Sequence, residues 1–125
     1  MIYGIGTDII EIDRIGEAIN KYGERFLGRI FTETEREYCD TFAEGKNLHY
    51  AARFAAKEAF SKAVGTGITQ GFKFKEIGVE NEKSGQPRII LSGGLKVKYG
   101  HLQSHISLSH TEGNAVAYVI LETLD

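Results

Sequence analysis

RFAAKEAFSKAVGTG, residues 53–67, sets an alanine-rich surface beside a carboxylate, a hydroxyl and an ammonium. At about 100° per residue, Ala52, Ala55, Ala59 and Ala63 fall on one side of a helix, with Ala56 and Phe60 widening it. Small side chains on one side make that side the core face. Phe54, Glu58, Ser61, Lys62 and Gly65 gather in a neighbouring arc, and Arg53 and Lys57 are expected further round, toward solvent. The helix is predicted over 47–64, ended by Gly65, which tolerates a left-handed backbone. Taken by themselves, Glu58 and Lys62 are an i, i+4 ion pair in the favourable order, worth about 0.2–0.5 kcal/mol.

Outward from this helix, residues 2–12 read as an isoleucine-rich strand, and Asp13 offers a helix start with Ile15 and Ile19 at helical spacing and Gly23 as the stop. Thr32 and Glu35 form a capping box, so a helix is predicted from about 33 to 42. Residues 72–79 read as a strand, and Ser84-Gly85-Gln86-Pro87 as a turn into a short strand over 88–91. Ser92 is placed to cap a short helix through Lys98. HISLSH (105–110) and AVAYVILETL (115–124) are joined by a short polar link containing Gly113, which predicts an antiparallel hairpin. Helices first and strands later imply an α+β fold with an antiparallel or mixed β-sheet packed against helices.

The 125 residues, 42% hydrophobic and 26% charged, predict one domain over 1–125. No segment is apolar enough for a membrane span and the N-terminus lacks signal-peptide character, so a cytoplasmic protein is expected. Cys39 is the sole cysteine, which leaves no internal disulfide and reads as a buried thiol. A net charge of -2 predicts no nucleic-acid partner and restricts any polyanion recognition to a local patch. Arg14, Lys21, Arg25 and Arg29, with only Glu17 and Glu24 among them, form one such patch; a solvated basic surface is the simpler reading.

Alternation along the first strand puts Asp8 with Ile10 and Ile12 on the inner side, opposite Glu11 and Asp13. A carboxylate there needs a cation or hydrogen-bond donors, or else it caps a turn. Gly4 and Gly6 on the same side are expected to leave room for a ligand. His110 ends the next-to-last strand on the side of Ile106 and Leu108, and shares no metal-ligand spacing with His49 or His101. Walker-type and GxSxG motifs are absent from the sequence.

Three segments together carry a resemblance. Ile5-Gly6-Thr7-Asp8-Ile9 with Ile12 and Arg14, then Arg53-Phe54-Ala55-Ala56-Lys57-Glu58-Ala59 with Lys62-Ala63, then Ile106-Ser107-Leu108-Ser109-His110-Thr111 resemble the holo-[acyl-carrier-protein] synthases, the short bacterial 4′-phosphopantetheinyl transferases. The likeness spans essentially the whole chain and implies that family's fold. It implies transfer of the phosphopantetheine arm of coenzyme A to a serine of apo acyl carrier protein, with release of adenosine 3′,5′-bisphosphate, in support of fatty acid biosynthesis. By that resemblance Asp8 and Glu58 are Mg²⁺ ligands, Lys62 is a phosphate partner, and Arg53, Ser61, Gly65 and His110 are coenzyme A contacts. It further implies a homotrimer with shared active sites, so that His110 serves a neighbour's metal site. Arg14, Lys21 and Arg25 with Phe26 are then candidates for docking an acidic carrier protein. The serine proton goes to Glu58 or to a metal-bound water, between which the sequence does not choose.

Two rival readings use the same residues. One is another Mg²⁺-dependent phosphotransferase or nuclease, which lacks a third convergent acid. The other is a non-catalytic carrier-binding module, which would tolerate loss of Asp8 or Glu58.

Overall fold

The computed structural model describes residues 1–69 and 71–124. It runs from β1 (Ile2–Glu11) through α1 (Ile12–Tyr22), α2 (Glu24–Ile30), α3 (Glu33–Asp40) and α4 (Lys46–Ala63). A 3₁₀ turn (Phe74–Glu76), β2 (Ile77–Asn81), β3 (Pro87–Leu91), α5 (Gly93–Tyr99), β4 (Gln103–His110) and β5 (Asn114–Glu122) follow. The strands pair antiparallel as β1-β5-β4 and β2-β3, so the fold is α+β and the sheets are antiparallel. Among the described residues, no helix is long and apolar enough to cross a membrane.

The inner face of the larger sheet buries Ala115, Ala117, Val119 and Leu121 against the alanines of α4. Small residues on both sides let helix and sheet approach closely. A Cβ at Gly4 would meet the Ala63 carbonyl oxygen, and one at Gly6 the Ala59 carbonyl oxygen. The space expected there for a ligand is therefore filled by the helix backbone. These glycines set how closely α4 lies on β1.

The opposite side of α4 is covered as well, by α1, α3 and β2. Arg53 and Lys57, expected toward solvent, are 2% and 0% exposed. A helical wheel reveals one apolar face, and it cannot show a second layer that supplies polar partners. Lys57 Nζ donates to Glu35 Oε1 (2.8 Å), to Phe74 O (3.1 Å) and to Ile77 O. Glu35 also accepts from Thr32 N (2.8 Å) and Val79 N (2.9 Å), so the capping-box acid ties α3, α4 and β2 together. Burial lowers the Lys57 pKa from its usual value, and the Glu35 charge offsets only part of that effect.

Three local expectations differ from the structure. Gly23 ends α1 with φ +53° as predicted, but residues 24–30 form a further helix in which Gly28 is accommodated. The strand expected over 72–79 begins only at Ile77, because the chain first makes the 3₁₀ turn. Ser92 precedes α5 without a side-chain cap; Glu76 accepts from Gly94 N (3.2 Å) and Leu95 N (3.1 Å) in its place.

Candidate active site

From Tyr50 to Ala63, only Phe54, Glu58 and Lys62 of α4 are not buried. Spaced by four, they form one stripe along the helix. Asp8 lies beside this stripe on the inner face of β1, opposite Ala117, with its side chain 11% exposed. Lys62 Nζ donates to Asp8 Oδ1 (3.1 Å) and to Thr7 O (3.0 Å), so the ammonium bridges helix to strand. Burial, then the charge of Asp8 and a hydrogen bond with Asp8, raise the Glu58 pKa above the usual carboxylate value; Lys62 and Arg14 oppose this. Two acids and one ammonium thus meet at a partly open edge of the core.

Ser61 and Gly65 flank this cluster. The Ser61 side chain is buried, and its hydroxyl donates to Glu58 O (2.6 Å), so it acts on the helix backbone that carries Glu58. Gly65 has φ +92°, and its N–H donates to Lys62 O (3.0 Å), closing the helix directly after the ammonium-bearing turn.

Arg53 and His110 come together elsewhere. They line a groove with Tyr38, His49, Asn81 and Pro87, in which Asp8, Glu58 and Lys62 take no part. The Arg53 guanidinium lies over the Tyr38 ring (4.4 Å) and donates to Asn81 Oδ1 (3.2 Å). Among the described residues, Arg53 Nε is a buried nitrogen that meets no hydrogen-bond acceptor. His110 Nδ1 donates to Thr111 O (3.2 Å). Burial first, then the neighbouring Arg53 and His110, lower the His49 pKa from its usual value. Tyr38, His49 and Asn81 were missed in the sequence, where they stand outside every motif. Their tie to Arg53 exists only once α3, α4 and β2 are packed.

Arg14, Lys21 and Arg25 are exposed, and Phe26 is half-buried. Tyr22, Arg25, Phe26 and Arg29 line a second groove. Phe26 packs against Phe54 (ring centroids 6.3 Å), and Phe54 stacks on Phe74 at 5.7 Å and 13°. The basic surface therefore reaches the exposed stripe of α4 through an aromatic contact.

Among the described residues, no group of three or more His, Cys, Asp or Glu side chains is arranged to hold a metal ion. A fully protein-ligated transition metal does not fit. The Asp8–Glu58 pair fits a hard cation such as Mg²⁺, which keeps several waters and takes one or two carboxylates together with phosphate oxygens.

A model of the 4′-phosphopantetheinyl transferase superfamily matches residues 4–119. The chain is 47% identical over 124 residues to a holo-[acyl-carrier-protein] synthase of Ruminiclostridium cellulolyticum, covering 97% of this chain and 92% of the relative. A holo-[acyl-carrier-protein] synthase of Koribacter versatilis is 45% identical, with 98% and 99% covered. The crystal structure of a holo-(acyl-carrier-protein) synthase from Bacillus anthracis in complex with CoA (3′,5′-ADP) superposes with a TM-score of 0.83 at 43% identity, covering 98% of each chain. That of Helicobacter pylori holo-[acyl-carrier-protein] synthase in complex with coenzyme A gives 0.82 at 34% identity, covering 94% of this chain and 99% of the other.

Proposed function

The chain belongs to the holo-[acyl-carrier-protein] synthases of the 4′-phosphopantetheinyl transferase superfamily, and we propose that it moves the phosphopantetheine arm of coenzyme A to a serine of apo acyl carrier protein. Adenosine 3′,5′-bisphosphate leaves, and the holo carrier protein serves fatty acid biosynthesis. The observation that carries this reading is the meeting of Asp8, Glu58 and Lys62 at the edge of the core.

In the reaction the serine oxygen attacks the phosphorus that bears the pantetheine arm. A new P–O bond forms, and the bond to the bridging oxygen breaks with its electron pair leaving on adenosine bisphosphate. Such a transfer asks chiefly for positioning and neutralisation of charge. Asp8 and Glu58 would hold Mg²⁺, which when bound draws charge from the diphosphate oxygens. Lys62, half exposed on a flexible stem, turns its ammonium to a phosphate oxygen. Among the residues of this chain, Glu58 accepts the serine proton. Ser61 holds the Glu58 backbone in place through its buried hydroxyl, and Gly65 lets the coenzyme pass close to the end of α4.

The groove of Arg53 and His110 takes the adenosine bisphosphate end, with Arg53 directed to the 3′-phosphate. Because that groove and the Asp8–Glu58 pair are lined by separate residues, we place the coenzyme between copies of the chain, in a homotrimer with shared sites. The outer sheet face supports this arrangement. Ile5, Ile9 and Tyr118 are 64%, 65% and 52% exposed, with Val116 and Ile120 among them in register. An apolar sheet face of this kind favours association. The carrier protein, being acidic, docks on Arg14, Lys21, Arg25 and Phe26.

The test is mass spectrometry of apo acyl carrier protein incubated with coenzyme A, Mg²⁺ and this protein. A gain of one phosphopantetheine group on serine is expected; an unchanged carrier mass would refute the assignment.

A further inference from the structure

We infer that Lys62 is a built-in competitor for the Asp8 carboxylate, so that a divalent cation enters this site together with the coenzyme diphosphate and not ahead of it. The inference rests on the proposed metal role of Asp8 and Glu58. Lys62 Nζ already occupies the Asp8 Oδ1 oxygen at 3.1 Å and is steadied by Thr7 O at 3.0 Å. Asp8 is largely covered, so an ion bound to its carboxylate and the ammonium must lie close together. Two carboxylates, one ammonium and one divalent cation carry an excess of positive charge; adding a diphosphate reverses the sign. Without the diphosphate, the cation must displace Lys62 into water. With it, the ammonium gains a phosphate oxygen as it leaves Asp8.

The side chain is suited to that exchange. Lys62 is 52% exposed and is free to move without disturbing the helix packing, whereas the buried Lys57, five residues earlier, is fixed by three acceptors. Because coupling between ligands is reciprocal, a lysine released by the diphosphate raises metal affinity, and the metal raises coenzyme affinity by the same factor. Lys62 is thus a positioning residue for cation entry as well as a phosphate partner.

The test is titration of the intact protein with Mn²⁺, followed by electron paramagnetic resonance, with and without coenzyme A and in the absence of carrier protein. Without coenzyme, Lys62→Met is expected to bind Mn²⁺ about tenfold more tightly than wild type, and Lys62→Arg, which keeps the charge, within about twofold of it. Coenzyme A should tighten Mn²⁺ binding more in wild type than in Lys62→Met. Asp8-dependent Mn²⁺ binding of equal or lower affinity in Lys62→Met would overturn this inference and leave the metal site standing. Absence of Mn²⁺ binding from wild type and Lys62→Met alike, with coenzyme present, would overturn both. Equal tightening in Lys62→Met and Lys62→Arg would assign the effect to packing and also overturn the inference.

Discussion

Gly6 of β1 lies so close beneath Ala59 of α4 that a side chain at position 6 would collide with the Ala59 carbonyl oxygen. Asp8 stands two residues along that strand and Glu58 precedes Ala59 on that helix, so this contact fixes how near the two acids come. Gly6→Ala must push α4 from the sheet and is expected to cost about 1–3 kcal/mol as overpacking. It should also lower kcat in the protein that remains folded. Gly28→Ala, where a Cβ meets nothing within 4 Å, is the control and should be neutral or stabilising in urea melts. Equal behaviour of the two variants would contradict the role assigned to the Gly6 contact.

The buried pair of Glu35 and Lys57 gives a second prediction. Lys57→Met leaves the Glu35 carboxylate in the core without its cation and should cost about 3–5 kcal/mol. Adding Glu35→Gln removes the stranded charge. The double variant should therefore be less destabilised than the two single changes summed, with a coupling of about 1 kcal/mol or more in urea unfolding. Additive effects would mean that the pair does not interact energetically.

For Cys39 the expectation is chemical. Burial, as the largest cause, pushes the thiol pKa up from 9.0 to about 12. In the native protein a disulfide reagent at pH 8 should react slowly, limited by opening of the structure, and the unfolded chain should react at once. The sign for stability follows from the raised value: the unfolded thiol ionises from pH 9.0 upward while the folded one keeps its proton to about 12, so the contribution is lost as pH rises through that window. Rapid labelling of the native protein would place Cys39 outside the core.

Docking on the basic surface predicts a split in kinetic constants. Arg14→Glu should raise the KM for carrier protein about tenfold while changing that for coenzyme A much less, and the difference should shrink at high salt. Equal effects on both substrates would point to a local disturbance of Glu58, on which the Arg14 charge also acts.

How far the sequence discloses this arrangement depends on the residue. Strand alternation put Asp8 on the inner side, and helical spacing put Glu58 and Lys62 in one arc beside the alanine face. Neither pattern can say that this arc meets that strand, and the resemblance alone linked them. The capping box and Gly65 were readable because each is a local signal with a local cause. Arg53 and Lys57 were misplaced because their partners, Asn81, Tyr38 and Glu35, come from separate elements. Gly4 and Gly6 were recognised as room, but whether room holds a ligand or a helix is decided by packing. In place of the ion pair expected with Glu58, Lys62 makes its contact with Asp8, because the lysine reaches across to the strand.

The central claim is that Asp8 and Glu58 together hold one divalent cation on the coenzyme diphosphate. Isothermal titration of Mg²⁺ into the protein saturated with coenzyme A tests it most directly, using wild type, Asp8→Ala and Glu58→Ala, each checked for native folding. One Mg²⁺ site is expected in wild type and a loss of affinity of roughly 100-fold or more in each variant. Wild-type affinity in either folded alanine variant would contradict the account.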